Sequence, residues 1–208
     1  MCGLASADLN EDGKMDKEDR FGFAGQNDAG YEFYQSAGER FCTLDKDGVP
    51  YMSNDSERAI QIFTNIYTFM NDKTNFFNRS KANITVADAI EMFRSNRVLF
   101  MMRPLQTIME LRAMDADFGI IPFPKYEESQ EKYISYYSPA TNAFSIPKTV
   151  KDLSRTAVVI ENLSAYGYKT IRPAYYDVVL HGKTVRDEES REMLDIIFGN
   201  YTIDYADI

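Results

Sequence analysis

Tryptophan is absent from this chain, histidine occurs once (His181) and cysteine twice (Cys2 and Cys42). Two cysteines are too few for a disulfide framework, and the sequence does not require them to pair. A single histidine with no cysteine or second histidine beside it supplies neither a zinc site nor a catalytic triad. His181 reads as the end of a helix before Gly182. No P-loop, dinucleotide fingerprint or nucleophile elbow occurs. Long apolar runs are also missing. The longest, VLFMM at 98–102, is strand-sized and too short to span a bilayer. Positive charge is in deficit: a net charge of −9 argues against nucleic acid, whose phosphates would repel the chain. Glu127 and Glu128 would be the carboxylates for glycosidic chemistry, but they sit in a polar loop with no groove signal, and no enzyme is indicated.

What is present begins with the twelve residues Asp8–Asp19, DLNEDGKMDKED. Oxygen donors fall at positions 1, 3, 5, 9 and 12 of the run, with glycine at 6, which is the pattern of a Ca²⁺ loop. The side-chain ligands would be Asp8, Asn10, Asp12, Asp16 and Asp19, and Lys14 would give its backbone carbonyl. Gly13 stands where the chain turns sharply, and Met15 is placed to pin the loop to the fold behind it. Five clustered oxygen-bearing side chains call for a cation to offset their repulsion. Position 12 is Asp, shorter than the bidentate Glu of a calcium sensor, and the flanking residues do not read as helices. The expectation is a structural clip. The pattern also resembles one half of a dockerin module, which leaves a calcium-stabilised protein-interaction module as the alternative reading.

The rest of the chain alternates strand and helix signals, so the class is α/β. A strand is expected at 20–24, with Phe21 and Phe23 on one face, then a helix over 28–41 carrying Tyr31, Tyr34, Ala37 and Phe41. LDKDGVPYM reads as a turn between two short strands. A strong helix covers 53–72, with Ser53 as its cap, and another covers 85–97. VLFMM is a buried strand broken by Arg103-Pro104, and a helix LQTIMELRAM follows. DFGIIPFP (117–124) reads as a buried strand, 125–133 as an exposed polar loop, and ISYYSPATNAFSIP as one or two strands. Helices are expected over 151–167, 170–180 and 187–198.

The order of these blocks is familiar. MFRSNR leads into VLFMM, a Pro-containing turn and MELRAM. DFGIIPFPKYEESQEKY, SPATNAFSIPKTVKDLSRTAVVIENLSAYGY and RPAYYDVVLHGKTVRDEESREMLDIIF follow. The chain resembles the extracellular carbohydrate-binding solute-binding proteins of ABC importers, a group whose members often carry a DxNxDGxxDxxD loop before a Phe-Gly strand. The resemblance implies a periplasmic-binding-protein-like α/β clamp that captures a sugar and delivers it to a membrane permease. It implies a monomeric, extracellular lipoprotein of which this chain is a part, mainly the second lobe. Residues 1–98 would hold the calcium loop and second-lobe elements, 99–148 would cross the hinge into the first lobe and return, and 149–208 would complete the second lobe. Aromatic rings pack on the apolar faces of sugars while polar groups bond the hydroxyl rim. The candidates for those tasks are Tyr31, Tyr34, Arg103, Tyr136 and Tyr137. The tryptophan platforms usual in that family are missing here.

Overall fold

The computed structural model describes residues 1–136, 145–176 and 188–207. In chain order its elements are α1 (Cys2–Ala5), β1 (Phe21–Gly25), α2 (Ala29–Ser36), β2 (Cys42–Leu44), β3 (Pro50–Met52), α3 (Glu57–Asn71), β4 (Phe76–Asn78), α4 (Arg79–Ala82), α5 (Val86–Arg94), β5 (Val98–Met101), β6 (Ser135–Tyr136), α6 (Leu153–Tyr166), α7 (Glu188–Gly199) and β7 (Tyr201–Thr202). The fold is mixed α/β with small sheets. β1 is the centre of a three-stranded parallel sheet of order β4-β1-β5. Phe23 is in register with Phe76 on one side and with Phe100 on the other. β2 and β3 form the expected antiparallel hairpin, and β6 pairs with β7 in parallel.

Both faces of the sheet are covered, as parallel sheets require. Phe21, Ala24, Phe77, Met92 and Val98 make one cluster, which joins the sheet to α5. Phe23 enters a different group: its ring lies 5.4–5.7 Å from those of Phe33, Phe69 and Phe76, which join the sheet to α2 and α3. Phe21 and Phe23, expected on one face of the strand, thus pack against different partners. A third cluster packs Ile108, Phe118 and Ile120 against Leu194 and Ile197 of α7, so part of the expected 99–148 crossover lies against the third helix of the C-terminal segment.

Element ends follow local chemistry. α2 stops at Ser36, short of the expected Phe41, because Gly38 takes a left-handed φ of 90° and closes the helix. α3 begins later than expected: Ser56, not Ser53, accepts the Ala59 N–H at 3.0 Å, and Ser53 bonds the Arg40 carbonyl. α5 carries a capping box in which Thr85 and Asp88 exchange bonds. The helix expected after Pro104 is instead two 3₁₀ turns, Leu105–Met109 and Leu111–Ala113. Its buried residues Ile108, Leu111 and Met114 recur every third position, the 3₁₀ repeat. Residues 117–124 alternate in exposure like a strand but pair with none among the described residues, and Ile121 is 60% exposed. Pro122 and Pro124 cannot donate to a ladder. The two helices expected over 151–180 run together as far as Tyr176 through a π turn at Gly167–Ile171, and α6 buries none of its residues.

One carboxylate adds a polar latch to the C-terminal segment. Asp204 is fully buried and accepts the N–H groups of Phe41 (2.7 Å), Cys42 (3.0 Å) and Ala206 (2.9 Å), with Gln35 Nε2 at 3.4 Å. Arg40 also donates to Thr202 of β7. Charge-assisted bonds are stronger than neutral ones, and removing their acceptor leaves buried donors unsatisfied. Asp204→Ala should therefore lose about 2–4 kcal/mol of stability in urea unfolding. A loss under about 0.5 kcal/mol, the level of an ordinary surface change, would show that the latch is not structural.

Candidate functional site

The acidic loop lies at the entry to β1 and is wound by its own side chains. Asp8 accepts the N–H groups of Glu11 (2.7 Å) and Gly13 (2.9 Å). Asn10 accepts from Asp12 (3.1 Å), Asp12 from Lys14 (2.8 Å) and Asp16 from Glu18 (2.9 Å). Asp19, fully buried, spans the loop with 2.8 Å bonds from Leu9 and Asp16. Gly13 takes a φ of 77°, as the turn requires. All five expected side-chain donors thus hold loop N–H groups in the turn geometry natural to Asp and Asn. Met15 packs on the Phe21 cluster, the pin read from sequence. The loop is tied to the sheet by the reciprocal Ala7–Arg20 bridge and by Arg97, which donates to the Lys17 carbonyl at 2.6 Å and to Glu18 at 3.3 Å. The hard-oxygen donor set suits Ca²⁺. Among the described residues, however, no three His, Cys, Asp or Glu side chains are gathered to hold an ion.

At the opposite end of the sheet, the crevice outside the carboxyl ends of all three strands is flanked by polar residues. Gln26, Asn27 and Asp28 follow β1, Asn78 ends β4, Arg79 follows it, and Arg103 follows β5. They are linked. Arg79 donates to Gln26 Oε1, Gln26 Nε2 donates to Asp28 (2.8 Å), and Asn78 Nδ2 donates to Asn27 (3.1 Å). In open α/β sheets this is the side on which ligands bind. Glu32, one turn into α2, faces the crevice. Burial, and then the Asp28 carboxylate, push its pKa up to about 7, against the opposing pull of Arg103. A cleft of about 840 Å³ runs the length of β5, from Arg20 and Asn96 near the acidic loop to Arg103, with Phe23, Phe33 and residues 117–124 on its walls; of these crevice polar residues only Arg103 lines it.

The tyrosine candidates separate. Tyr34 is 0% exposed, its ring 4.3 Å from Phe63 and 4.5 Å from Phe41. Burial, then Glu39 and Asp204, raise its pKa to about 12 despite Arg58. It is a core residue of the α2–α3 contact and is not open to a ligand. Tyr31 is half-buried, stacked on Phe41 at 4.7 Å and edge-on to Tyr136 at 5.3 Å. Tyr137 and His181 lie outside the described residues. Glu127 is held by Arg58 at 2.9 Å, and Arg58 also pairs with Glu39. Gln26, Asn27, Asp28, Glu32, Asn78 and Arg79 were not singled out from sequence. The available signal was the polar Gln-Asn-Asp directly after an apolar strand.

A carboxyl whose pKa is higher in the fold than in the unfolded chain favours the fold only while protonated. The Glu32 contribution is therefore fully present below the ordinary value of 4.5 and is lost as pH rises through about 7. Glu32→Gln should stabilise the protein by about 1–2 kcal/mol near pH 8, after screening, and change little below pH 4.5, as read by urea midpoints at the two pH values. Equal effects at both would remove burial as the cause.

No family model, no curated protein and no solved structure matches this chain.

Proposed function

We propose that this chain is the carbohydrate-capturing part of an extracellular, lipid-anchored solute-binding protein that hands its sugar to an ABC permease in the membrane. The observation that carries the reading is the convergence of Gln26, Asn27, Asp28, Asn78, Arg79 and Arg103 at the carboxyl ends of three parallel strands. Amides, a carboxylate and guanidinium groups match the hydroxyl rim of a sugar, and Tyr31 and Tyr136, packed edge-on to each other, are the aromatic candidates for its apolar face. The apolar cleft beside β5 falls within the volume range of small-molecule sites. Contacts from this side alone give weak binding, and closure of a second lobe over the sugar adds the rest.

The Asp8–Asp19 loop belongs to the same reading as a clip. Asp8, Asn10, Asp12, Asp16 and Asp19 would hold Ca²⁺ with side-chain oxygens and Lys14 with its carbonyl. Bound there, the ion neutralises the crowded carboxylates and fixes the loop. β1 separates the loop from the Gln26–Asp28 end by about 16 Å of strand, so the ion acts through the stability of the strands. A dockerin-like module would place a helix after the loop, whereas β1 follows it.

Calcium should raise the melting temperature, with a gain of about 2–3 kcal/mol at a hundredfold excess over the dissociation constant. Asp12→Ala should remove that gain and change little in EDTA. An equal loss in both conditions would reduce the loop to an acidic turn. For the sugar, titration of the ¹⁵N-labelled chain with monosaccharides, neutral and acidic, should shift the amides of residues 26–28 and 78–79 and leave 8–19 still. Asn27→Ala should weaken the best ligand about tenfold. Shifts confined to the loop, or none anywhere, would defeat the carbohydrate reading.

A further inference from the structure

We infer that the sugar taken at this crevice carries an anionic group, seated between Arg103 and Arg79 at the carboxyl ends of β5 and β4. The inference rests on the carbohydrate reading above and specifies its substrate class. Arg103 is half-buried, its Nε is buried with no hydrogen-bond partner, and among the described residues no carboxylate stands within ion-pair distance of it. Arg79 directs its donors to neutral oxygens, the Gln26 side chain and, at 3.3 Å, the Ile84 carbonyl. Neither guanidinium thus has a carboxylate at ion-pair distance among the described residues, and Asp28 meets Arg79 only through Gln26. Leaving a buried charged donor unsatisfied is costly, and natural sites resolve that cost with a partner.

The electrostatics agree with the geometry. Burial first, and repulsion from Arg79 second, hold the Arg103 pKa below its ordinary value. Glu110, Asp28 and Glu32 attract Arg103 only at longer range. A sugar hydroxyl could accept one N–H but would leave the repulsion in place. A carboxylate or phosphoryl group supplies two or more oxygens in the plane of the guanidinium fork and cancels the repulsion as well. The neighbouring cleft of about 840 Å³ gives the rest of the ligand room, with Arg103 on its wall. A uronic acid and a sugar phosphate both present this chemistry.

The test is a titration of the ¹⁵N-labelled chain at low salt with galacturonate, glucose 6-phosphate and galactose. At least one acidic sugar should bind about tenfold or more tightly than galactose and shift the amides around residues 79–80 and 102–103. The stronger of the two identifies the anionic group. Arg103→Gln should erase the difference between acidic and neutral sugars, and Arg103→Lys should restore it in part. Added salt should weaken the acidic sugar and leave galactose unaffected, a readout on the unaltered chain that decides the matter should the variants fail to fold. Galactose binding as well as both acidic sugars would overturn the inference and leave the carbohydrate reading standing. No binding by any of the three would overturn both.

Discussion

The five residues of β1 are the constraint on which the other parts depend. This strand is bonded along both edges, to β4 and β5, and its side chains reach into the cores on both sides of the sheet. A parallel strand so enclosed must be apolar along its length, and FGFAG is. Polar chemistry can therefore gather only where the strand begins and where it ends. The acidic loop occupies the first position and the Gln26–Asp28 crevice the second. Strand direction, more than any single contact, places the proposed clip and the proposed site at opposite ends of the sheet.

The two ends are nevertheless coupled through register. A slip of one residue would send every β1 side chain to the wrong face and carry Gln26, Asn27 and Asp28 away from Asn78, Arg79 and Arg103. What fixes that register at the entry is the loop. Asp19 is buried two residues before Phe21, Arg20 is bridged to Ala7, and Arg97 holds the Lys17 carbonyl one residue before β5 starts. The loop thus anchors β1 and β5 together at the end far from the crevice. This gives a clip a purpose at the site without contact: it holds the strands whose far ends assemble the polar cluster. The Phe23–Phe76 and Phe23–Phe100 pairings then carry the alignment across.

Legibility in the sequence tracked how local each feature is. The loop was legible because its glycine, its oxygen donors and its apolar pin are all within twelve residues, and the structure uses each of them in the turn. The β2–β3 hairpin and the α5 helix were legible for the same reason. The end of α2 had a local signal, Gly38, but the stripe running on to Phe41 outweighed it, and Phe41 reaches the Tyr34 ring from outside the helix. β4 was missed because three residues, Phe76–Asn78, have no period to read and exist as a strand only through β1. The crevice was missed for a stronger reason. Its members come from three segments that only parallel pairing brings together, so no window of sequence contains them. Tyr31 and Tyr34 show the limit within one helix. Three residues apart, both satisfy the apolar stripe, and only the position of Phe63 on α3 makes Tyr34 the core residue.

Burial is spread unevenly, and that bears on what the surface is for. α2 and α3 meet through Tyr34, Ala37, Ala59 and Ile62, all closed to solvent, whereas α6 leaves Leu153, Val158, Val159 and Leu163 exposed. Asp152 caps α6 by accepting the Arg155 N–H at 2.8 Å, so its start is locally specified. A helix of fourteen residues is nonetheless marginal in water without a packed face. The stability of the chain therefore resides in the β1-centred body and not in α6, and the apolar residues of α6 lower no free energy where they stand. In the two-lobed clamp proposed above, a companion part would cover this apolar area. The crevice needs none of it: its polar groups follow β1, β4 and β5, and their arrangement is set by the pairing of both edge strands with β1.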